Sequence, residues 1–191
     1  MKKPSLIVVT GSPASGKTTL ASILSSKINC PLISRDQLKE GYINTLKVTH
    51  NQLDKSVDWY IYNVFFDAID LFISKGISII IEAAFQDQLW RPKLLSLLDK
   101  TEIKIIICNA NLKLIKARFN DRLLNNPDRE KFHGDQLASS SKDYFISITK
   151  DYKPVNINVP TLQVDTTENY NPVVEDIINF INLNQNEDRN Q

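Results

Sequence analysis

The sequence predicts an α/β fold in which a five-stranded parallel sheet carries helices on both faces. Short runs of apolar and β-branched residues alternate along the chain with stretches of helical periodicity. Strands that alternate with helices are typical of βαβ units, in which the strands run parallel and helices cover both faces. A chain of 191 residues, 42% of them apolar, is the size of one domain with a substantial core.

Five short apolar runs predict the five strands. The first, residues 6–9, reads Leu-Ile-Val-Val without a polar interruption, which indicates a strand buried on both faces. The other four runs are residues 31–34, 77–81, 103–108 and 161–164.

Helical spacing of apolar residues predicts helices at 20–28, 36–46, 51–75, 88–99, 111–124, 135–150 and 171–183. The stretch 51–75 is the clearest, because apolar residues recur every three or four positions and Gly76 follows where a helix-ending glycine belongs. It carries more apolar residues than one stripe needs, including Trp59, Tyr62 and Leu71, so we expect it to cover a substrate site or a partner subunit. Asn111 is the predicted N-cap of the fifth helix.

Composition excludes several classes of function. The chain carries 23 basic and 22 acidic side chains, which argues against an extended polyanion-binding surface but leaves room for a local basic pocket. Two distant cysteines and two histidines argue against a disulfide framework, a structural zinc site and a multi-histidine metal centre. No apolar run approaches the ~20 residues of a membrane helix.

The chain is predicted to form one domain over residues 1–183. The first residues lead through a short apolar run into a glycine loop, which is unlike a signal peptide, so we expect a cytoplasmic protein. Residues 184–191 are almost wholly polar, and we expect them to form a disordered tail.

The most specific motif is GSPASGKT at residues 11–18, which fits GxxxxGK[ST] in full. A buried strand is predicted before it and a helix after it, as the motif requires. Its glycines allow backbone N–H groups to point at phosphate oxygens, Lys17 reaches the β- and γ-phosphates, and the Thr18 hydroxyl is suited to bind Mg²⁺. The sequence therefore predicts binding of ATP or GTP with magnesium. The predicted nucleotide-binding residues are Gly11, Ser12, Pro13, Ala14, Ser15, Gly16, Lys17, Thr18 and Thr19.

Four segments in order resemble the small P-loop kinases. They are GSPASGKTT, then ISRDQLKEG, then IIIEAAF, then ARFNDR followed by a basic loop. The similarity spans residues 6–165 and is to predicted kinases of the polynucleotide 5′-kinase-like and zeta-toxin-like branch. It implies a P-loop NTPase fold with strand order 2-3-1-4-5, an arginine-bearing lid at about residues 126–134, and ATP-dependent phosphoryl transfer to a hydroxyl.

Asp36 is the predicted catalytic base. It follows a short predicted strand, so its carboxylate should reach the sheet edge where ligands bind in open α/β sheets and accept the proton of an attacking hydroxyl. The other interpretation is that Asp36 caps the helix 36–46, and both roles are compatible. The resemblance of Ser34-Arg35-Asp36 to the polynucleotide-kinase segment favours catalysis. It leaves open whether Arg35 binds substrate or faces solvent.

Glu82 ends the third predicted strand, where an acidic residue would hold Mg²⁺ through water. Glutamate replaces the commoner aspartate there, and a solvated strand-end acid is the alternative. Arg91 lies in the region where the similar kinases contact their acceptor. Trp90 beside it is interpreted as a packing residue.

Arg118 and Arg122 share one helix face, four residues apart. The resemblance implies that Arg118 stacks near adenine and that Arg122 and Arg129 close on phosphates, whereas a solvated basic face is the alternative. The catalytic residues are thus predicted to be Lys17, Asp36 and Arg122. The predicted acceptor-binding residues are Arg35, Asp36, Arg91 and Arg129. The Asp165-Thr166-Thr167 segment either shapes the adenine pocket or forms a plain turn.

The sequence therefore predicts a kinase that uses ATP and Mg²⁺ and transfers phosphoryl to a hydroxyl of a small molecule. The alternatives are a polynucleotide 5′-hydroxyl kinase, for which a nucleic-acid end is the partner, a toxin-like sugar-nucleotide kinase, and a regulatory ATPase without an acceptor. The near-neutral charge favours the small molecule over a long nucleic-acid track.

Overall fold

A computed structural model describes residues 3–126, 128–134, 149 and 152–182 of the chain. Five strands form one all-parallel sheet in the order β2-β3-β1-β4-β5, as the resemblance implied. The strands are β1 (Ser5–Gly11), β2 (Leu32–Ser34), β3 (Ile79–Glu82), β4 (Glu102–Asn109) and β5 (Thr161–Asp165). The predicted fold class is confirmed.

The helices described by the structure follow the predicted spacing closely. They are α1 (Lys17–Ile28), α2 (Arg35–Leu46), a 3₁₀ turn (His50–Gln52), α3 (Ser56–Ser74), α4 (Asp87–Leu95), α5 (Leu112–Asn125), α6 (Asp128–His133) and α7 (Val174–Asn182). The side chain of Asn111 accepts a hydrogen bond from the backbone N–H of Leu114 at 2.8 Å and so caps α5. Gly76 follows α3 with φ of 72°, the left-handed conformation expected of a helix-ending glycine.

Three predicted helices differ at their ends. The helix predicted at 51–75 begins only at Ser56, because the carboxylate of Asp54 accepts the N–H of Ser56 at 2.8 Å and a 3₁₀ turn fills the residues before it. The helix predicted at 88–99 ends at Leu95. The helix predicted at 171–183 begins at Val174, because the backbone of Asn171 is hydrogen-bonded to Asp165.

Two further predictions fall wholly or partly outside the described residues. The helix at 135–150 and the polar tail at 184–191 lie there. Residues 126–134 were predicted to form a loop, but the structure places the short helix α6 there. Arg129 and Lys131 both belong to this helix.

Two apolar layers flank the sheet. Alternate residues of β1 point in opposite directions, so Leu6 and Val8 pack with α3 and α4, while Ile7 and Val9 pack with α1 and α7. Because both faces are covered, all four residues of β3 are buried. This arrangement leaves the ends of the strands as the place for a ligand site.

The carboxyl ends of the neighbouring strands β2, β3 and β1 meet at one edge of the sheet. Glu82 at the end of β3 is in register with Ser34 of β2 on one side and with Val9 of β1 on the other. The glycine loop leaves β1 at this edge, and α2 begins directly after β2. The topology therefore brings the glycine loop, Glu82 and the start of α2 together.

The inner face of α3 should dominate the stability of the fold. Phe65 is fully buried and packs against the rings of Phe66, Phe85 and Trp90. We expect Phe65→Ala to lower the free energy of unfolding by about 3–5 kcal/mol, as is usual for a cavity of this size. Urea denaturation would measure the change.

Leu71 on the outer face of the same helix provides the control. Its side chain is 57% exposed, so Leu71→Ala should change the free energy of unfolding by less than about 0.5–1 kcal/mol. Equal losses in the two variants would contradict the described packing of α3.

Candidate active site

The phosphate-loop motif adopts the close turn that its glycines allow. Ala14 and Gly16 have positive φ angles of 61° and 85°, and the turn ends where α1 begins at Lys17. A Cβ on Gly11 would lie 2.3 Å from the hydroxyl of Ser15 and 2.5 Å from the carbonyl oxygen of Cys108, so only glycine fits there. The loop thus lies tightly against β4. The N-terminus of α1 follows it directly, so the helix adds its partial positive charge to the loop.

Glu82 and Lys17 face each other beneath this loop. The ammonium of Lys17 is 3.8 Å from Oε1 of Glu82, and both side chains are almost fully buried. The hydroxyl of Ser34 donates to Oε2 of Glu82 at 2.7 Å. Burial raises the pKa of Glu82, against the opposing effects of Lys17 and of hydroxyl hydrogen bonds from Ser34 and Thr18.

These residues have the donor types that Mg²⁺ prefers. The hydroxyl of Thr18 and the carboxylate of Glu82 are hard oxygen donors on neighbouring elements. Both lie next to the loop that would hold the phosphates of a nucleotide. Among the residues that the structure describes, no three His, Cys, Asp or Glu side chains cluster as a metal site. Mg²⁺ would fit here only if phosphate oxygens and water completed its coordination beside Thr18 and Glu82.

Asp36 lies in the first turn of α2 and is not the helix N-cap. The N-cap is Ser34, whose hydroxyl binds Glu82 instead of the helix backbone. The carboxylate of Asp36 is half exposed. Desolvation would raise the pKa of this carboxyl, but Lys17, His133, Arg35 and Arg129 outweigh it and hold the pKa below its usual range.

A cavity of about 1090 Å³ opens beside the glycine loop. Five residues predicted to act in catalysis or acceptor binding line it: Lys17, Arg35, Asp36, Arg122 and Arg129. Trp59 and Tyr62 of α3 line it as well, and their rings stack at 4.7 Å. The helix predicted to cover a substrate site or a partner subunit thus lines this cavity, and its role there stays a prediction.

A second cavity of about 440 Å³ lies on the other side of the loop. It is lined by Gly16, Thr19, Arg118 and Arg122, among others. Arg118 donates to the hydroxyl of Thr166 at 3.2 Å and to its carbonyl oxygen at 2.7 Å. The hydroxyl of Thr166 in turn donates to the carbonyl oxygen of Ser15 at 2.7 Å.

This network fixes Arg118 against the glycine loop, and its predicted place near adenine stays a prediction. Thr166 is buried and shapes this cavity, so the sequence from Asp165 to Thr167 is more than a plain turn. Arg122 lines both cavities and therefore lies between them.

Arg91 is the predicted site residue that the structure places elsewhere. It lies on the exposed side of α4, where its guanidinium binds the carboxylate of Asp87 one turn earlier. It is not among the lining residues of the large cavity. The neighbouring Trp90 is buried in the core and packs against Phe85, as predicted.

Sequence reasoning missed Lys39 and Asp58. Lys39 is buried, lines the large cavity, and donates to Oδ1 of Asp58 at 2.8 Å. Arg35 donates to the same oxygen at 2.8 Å. The spacing of Arg35, Asp36 and Lys39 on one helix was a usable signal, but the partner Asp58 depends on the packing of α3 against α2.

The short helix α6 lies against α2 and the 3₁₀ turn. His133 is 2.8 Å from the carboxylate of Glu40, and Lys131 donates to the side chain of Asn44 at 3.0 Å. These contacts hold Arg129 at the rim of the large cavity. The lid function of this segment stays a prediction.

Comparison with known proteins assigns the family. Residues 6–145 match the family model described as an AAA domain, so the chain belongs to this family of P-loop NTPases. The match includes the glycine loop, Asp36, Glu82 and both arginines of α5. No curated protein sequence matches the chain significantly.

Solved structures share the fold over nearly the whole chain. A predicted kinase from Chloroflexus aurantiacus is 24% identical, with a TM-score of 0.82 over 95% of this chain and 98% of that chain. The APS kinase CysC of Mycobacterium tuberculosis, solved with AMPPNP and APS, is 14% identical, with a TM-score of 0.62 over 95% and 99%. Kti12 of Chaetomium thermophilum, solved with ADP-AlF3, is 16% identical, with a TM-score of 0.63 over 93% and 99%.

The fold is therefore that of the P-loop kinases. Among the helices that the structure describes, none is both long and apolar enough to cross a membrane.

Gly11 provides a direct test of the glycine loop. The Cβ of Gly11→Ala would displace the Ser15 hydroxyl or the backbone of β4, so the loop N–H groups would no longer converge on phosphate. We expect the affinity for AMPPNP to fall at least about tenfold, the effect of losing one charge-assisted hydrogen bond. Isothermal titration calorimetry would measure it.

Gly41 on α2 is the matched control, since a Cβ there meets nothing within 4 Å. Gly41→Ala should leave the affinity unchanged and raise stability by about 0.5–1 kcal/mol. Normal AMPPNP binding by a folded Gly11→Ala variant would refute the described loop geometry.

Proposed function

We propose that this protein is a kinase that transfers the γ-phosphoryl group of ATP to a hydroxyl of a small-molecule acceptor. The observation that carries the proposal is that Lys17 of the glycine loop and Asp36 line the same cavity. One is the charge that faces the terminal phosphates in P-loop enzymes, and the other is a carboxylate suited to take a proton. A protein that only binds nucleotide has no need of the second group.

The reaction follows from these positions. The acceptor hydroxyl oxygen attacks the γ-phosphorus, and Asp36 accepts the hydroxyl proton as the new P–O bond forms. The bond from the γ-phosphorus to the bridging oxygen breaks, and ADP leaves with that electron pair. Because its pKa is lowered by the surrounding cations, Asp36 is ionised at neutral pH and ready to act as the base.

Negative charge that develops on the bridging and equatorial phosphate oxygens during transfer is stabilised by cations of the chain. Lys17 lies at the loop, and Arg122 lies between the two cavities. Arginine suits this role because its planar group donates several hydrogen bonds at once. Thr18 and, through a water, Glu82 would hold Mg²⁺, which would supply further positive charge against the phosphates.

The size and the walls of the cavity favour a small acceptor. Its walls come from α2, α3, α4, α5 and α6, and its volume of about 1090 Å³ accommodates a metabolite beside the terminal phosphate. A polynucleotide 5′-hydroxyl is the second candidate, because the cavity is rich in cations. A regulatory ATPase is the third, and Asp36 is the feature that argues against it.

A screen with γ-labelled ATP tests the proposal. The acceptors should include sugars, nucleosides, amino-acid derivatives, phosphorylated metabolites and 5′-hydroxyl oligonucleotides, with Lys17→Ala as the inactive control. Labelled small-molecule product supports the proposal. Transfer only to oligonucleotides would favour the second candidate, and acceptor-independent hydrolysis alone would favour the third.

Asp36→Asn should separate transfer from binding. The amide keeps the shape of the side chain but cannot accept the proton, so transfer should fall by about 10²-fold or more while AMPPNP affinity stays near normal. Asp70→Asn, at an exposed ion pair on α3, is the control and should keep full activity. A wild-type transfer rate in Asp36→Asn would show that another group, or none, takes the proton.

Arg122→Ala should affect the transition state more than the ground state. Arg122 lines the large cavity beside Lys17 and Asp36, so its charge matters most as the phosphoryl group is transferred there. We expect kcat to fall by about 10²–10³-fold with a smaller change in KM for ATP. A rise in KM alone would assign Arg122 to simple nucleotide binding.

A further inference from the structure

The large cavity concentrates positive charge in a chain that is otherwise balanced. Among its described lining residues, six are lysine or arginine and two are aspartate, whereas the whole chain has 23 basic and 22 acidic side chains. The cations come from the glycine loop, from α2, from the segment before α3, from α5 and from α6. Such convergence from separate elements indicates a site that binds negative charge.

Only part of this charge belongs to the nucleotide side. Lys17 and Arg122 lie where the terminal phosphates would be. Arg35 and Lys39 lie on α2 and are not among the residues that line the second cavity. They therefore form a separate group of cations on the acceptor side.

Arg35 and Lys39 share one carboxylate. Both donate to Oδ1 of Asp58 at 2.8 Å. The side chain of Lys39 is only 7% exposed, whereas that of Asp58 is 57% exposed. A buried cation requires a negative partner, and here a half-exposed carboxylate from a different helix serves two cations.

Both cations lie within one helical turn of the proposed base. Arg35 directly precedes Asp36, and its guanidinium is 3.5 Å from an oxygen of that carboxylate. Lys39 follows Asp36 by three residues on α2, which is about 4.5 Å along the helix axis. A molecule whose hydroxyl lies at Asp36 would therefore bring a group several bonds further along its chain to Arg35 and Lys39.

We propose that the acceptor carries an anionic group, a phosphate or a carboxylate, that binds Arg35 and Lys39 and displaces Asp58 from them. The inference rests on the proposed kinase function and specifies its substrate class. Asp58 compensates the two cations while the site is empty and competes with the acceptor for them. Arginine and lysine together suit a tetrahedral or planar oxyanion, because one donates as a fork and the other as a point charge.

Titration with inorganic phosphate tests this site in the full-length protein. The nucleotide side is first saturated with Mg·AMPPNP, so that phosphate cannot occupy the glycine loop. Both tryptophans of the chain, Trp59 and Trp90, line the cavity, so tryptophan fluorescence reports binding there and calorimetry confirms it. We expect saturable binding of phosphate to the wild-type protein.

Three variants give the expected pattern. Lys39→Gln should weaken phosphate binding by about tenfold or more, the effect of one charge-assisted hydrogen bond. Asp58→Asn should tighten it by roughly two- to fivefold, because a partly exposed competing ion pair is lost. Arg91→Gln, which lies on α4 outside the cavity, should not change it.

A network that only holds α2 against α3 predicts a different pattern. Both Lys39→Gln and Asp58→Asn would then lower stability, and neither would change phosphate affinity. Absence of saturable phosphate binding, or equal affinity in Lys39→Gln and Arg91→Gln, would overturn the proposal. If Lys39→Gln does not fold, Asp58→Asn decides alone, and unchanged or weaker binding in that variant overturns it.

A second arm identifies the kind of anion and keeps the two proposals apart. Acetate replaces phosphate in the titration, and the acceptor screen compares matched pairs such as a polyol and its phosphate monoester. Preferred transfer to the anionic member supports the proposal, whereas equal transfer to the neutral member overturns it. Phosphate binding without transfer to any acceptor would refute the kinase function and leave an anion site.

Discussion

The buried carboxylate of Glu82 constrains the whole sheet edge. Its two oxygens meet the ammonium of Lys17 at 3.8 Å and the hydroxyl of Ser34 at 2.7 Å. A carboxylate with so little exposure is stable only if such partners surround it. Since Lys17, Ser34 and Glu82 belong to α1, β2 and β3, this one group ties the glycine loop to two strands. The position of Lys17 at the loop depends on the Glu82 carboxylate, and the proposed binding of phosphate depends on that position.

The same interaction sets the start of α2. Because the Ser34 hydroxyl is bound to Glu82, it does not cap the helix, and α2 follows β2 without an intervening loop. Arg35 and Asp36 are therefore held at the sheet edge by the strand itself. A base placed on a rigid element has a defined distance to the phosphate loop, which phosphoryl transfer needs more than any covalent help. The nucleotide side and the acceptor side are thus positioned by neighbouring residues of one network.

Local signals in the sequence predicted most of this arrangement. The five strands, the glycine loop and the strand-end positions of Asp36 and Glu82 follow from apolar runs and one specific motif. Lys39 and Asp58 were missed because their meeting depends on the packing of α3 against α2, which no local pattern encodes. Arg91 was assigned to the acceptor site by similarity, although Asp87 four residues earlier offered it an ordinary helical ion pair. Residues that act through contacts between distant segments are therefore the ones that sequence alone does not reveal.

Helix α2 connects the proposed base Asp36 to the short helix α6. One side of the helix carries Asp36 and Lys39, and further along the same helix Glu40 and Asn44 contact His133 and Lys131 of α6. Since α6 brings Arg129 to the cavity rim, its contacts with α2 determine where that charge lies. His133 and Arg129, which both belong to α6, contribute to the lowered pKa of Asp36, so a displacement of α6 from α2 would shift that pKa upward. The pKa of the proposed base is thereby coupled to the docking of α6.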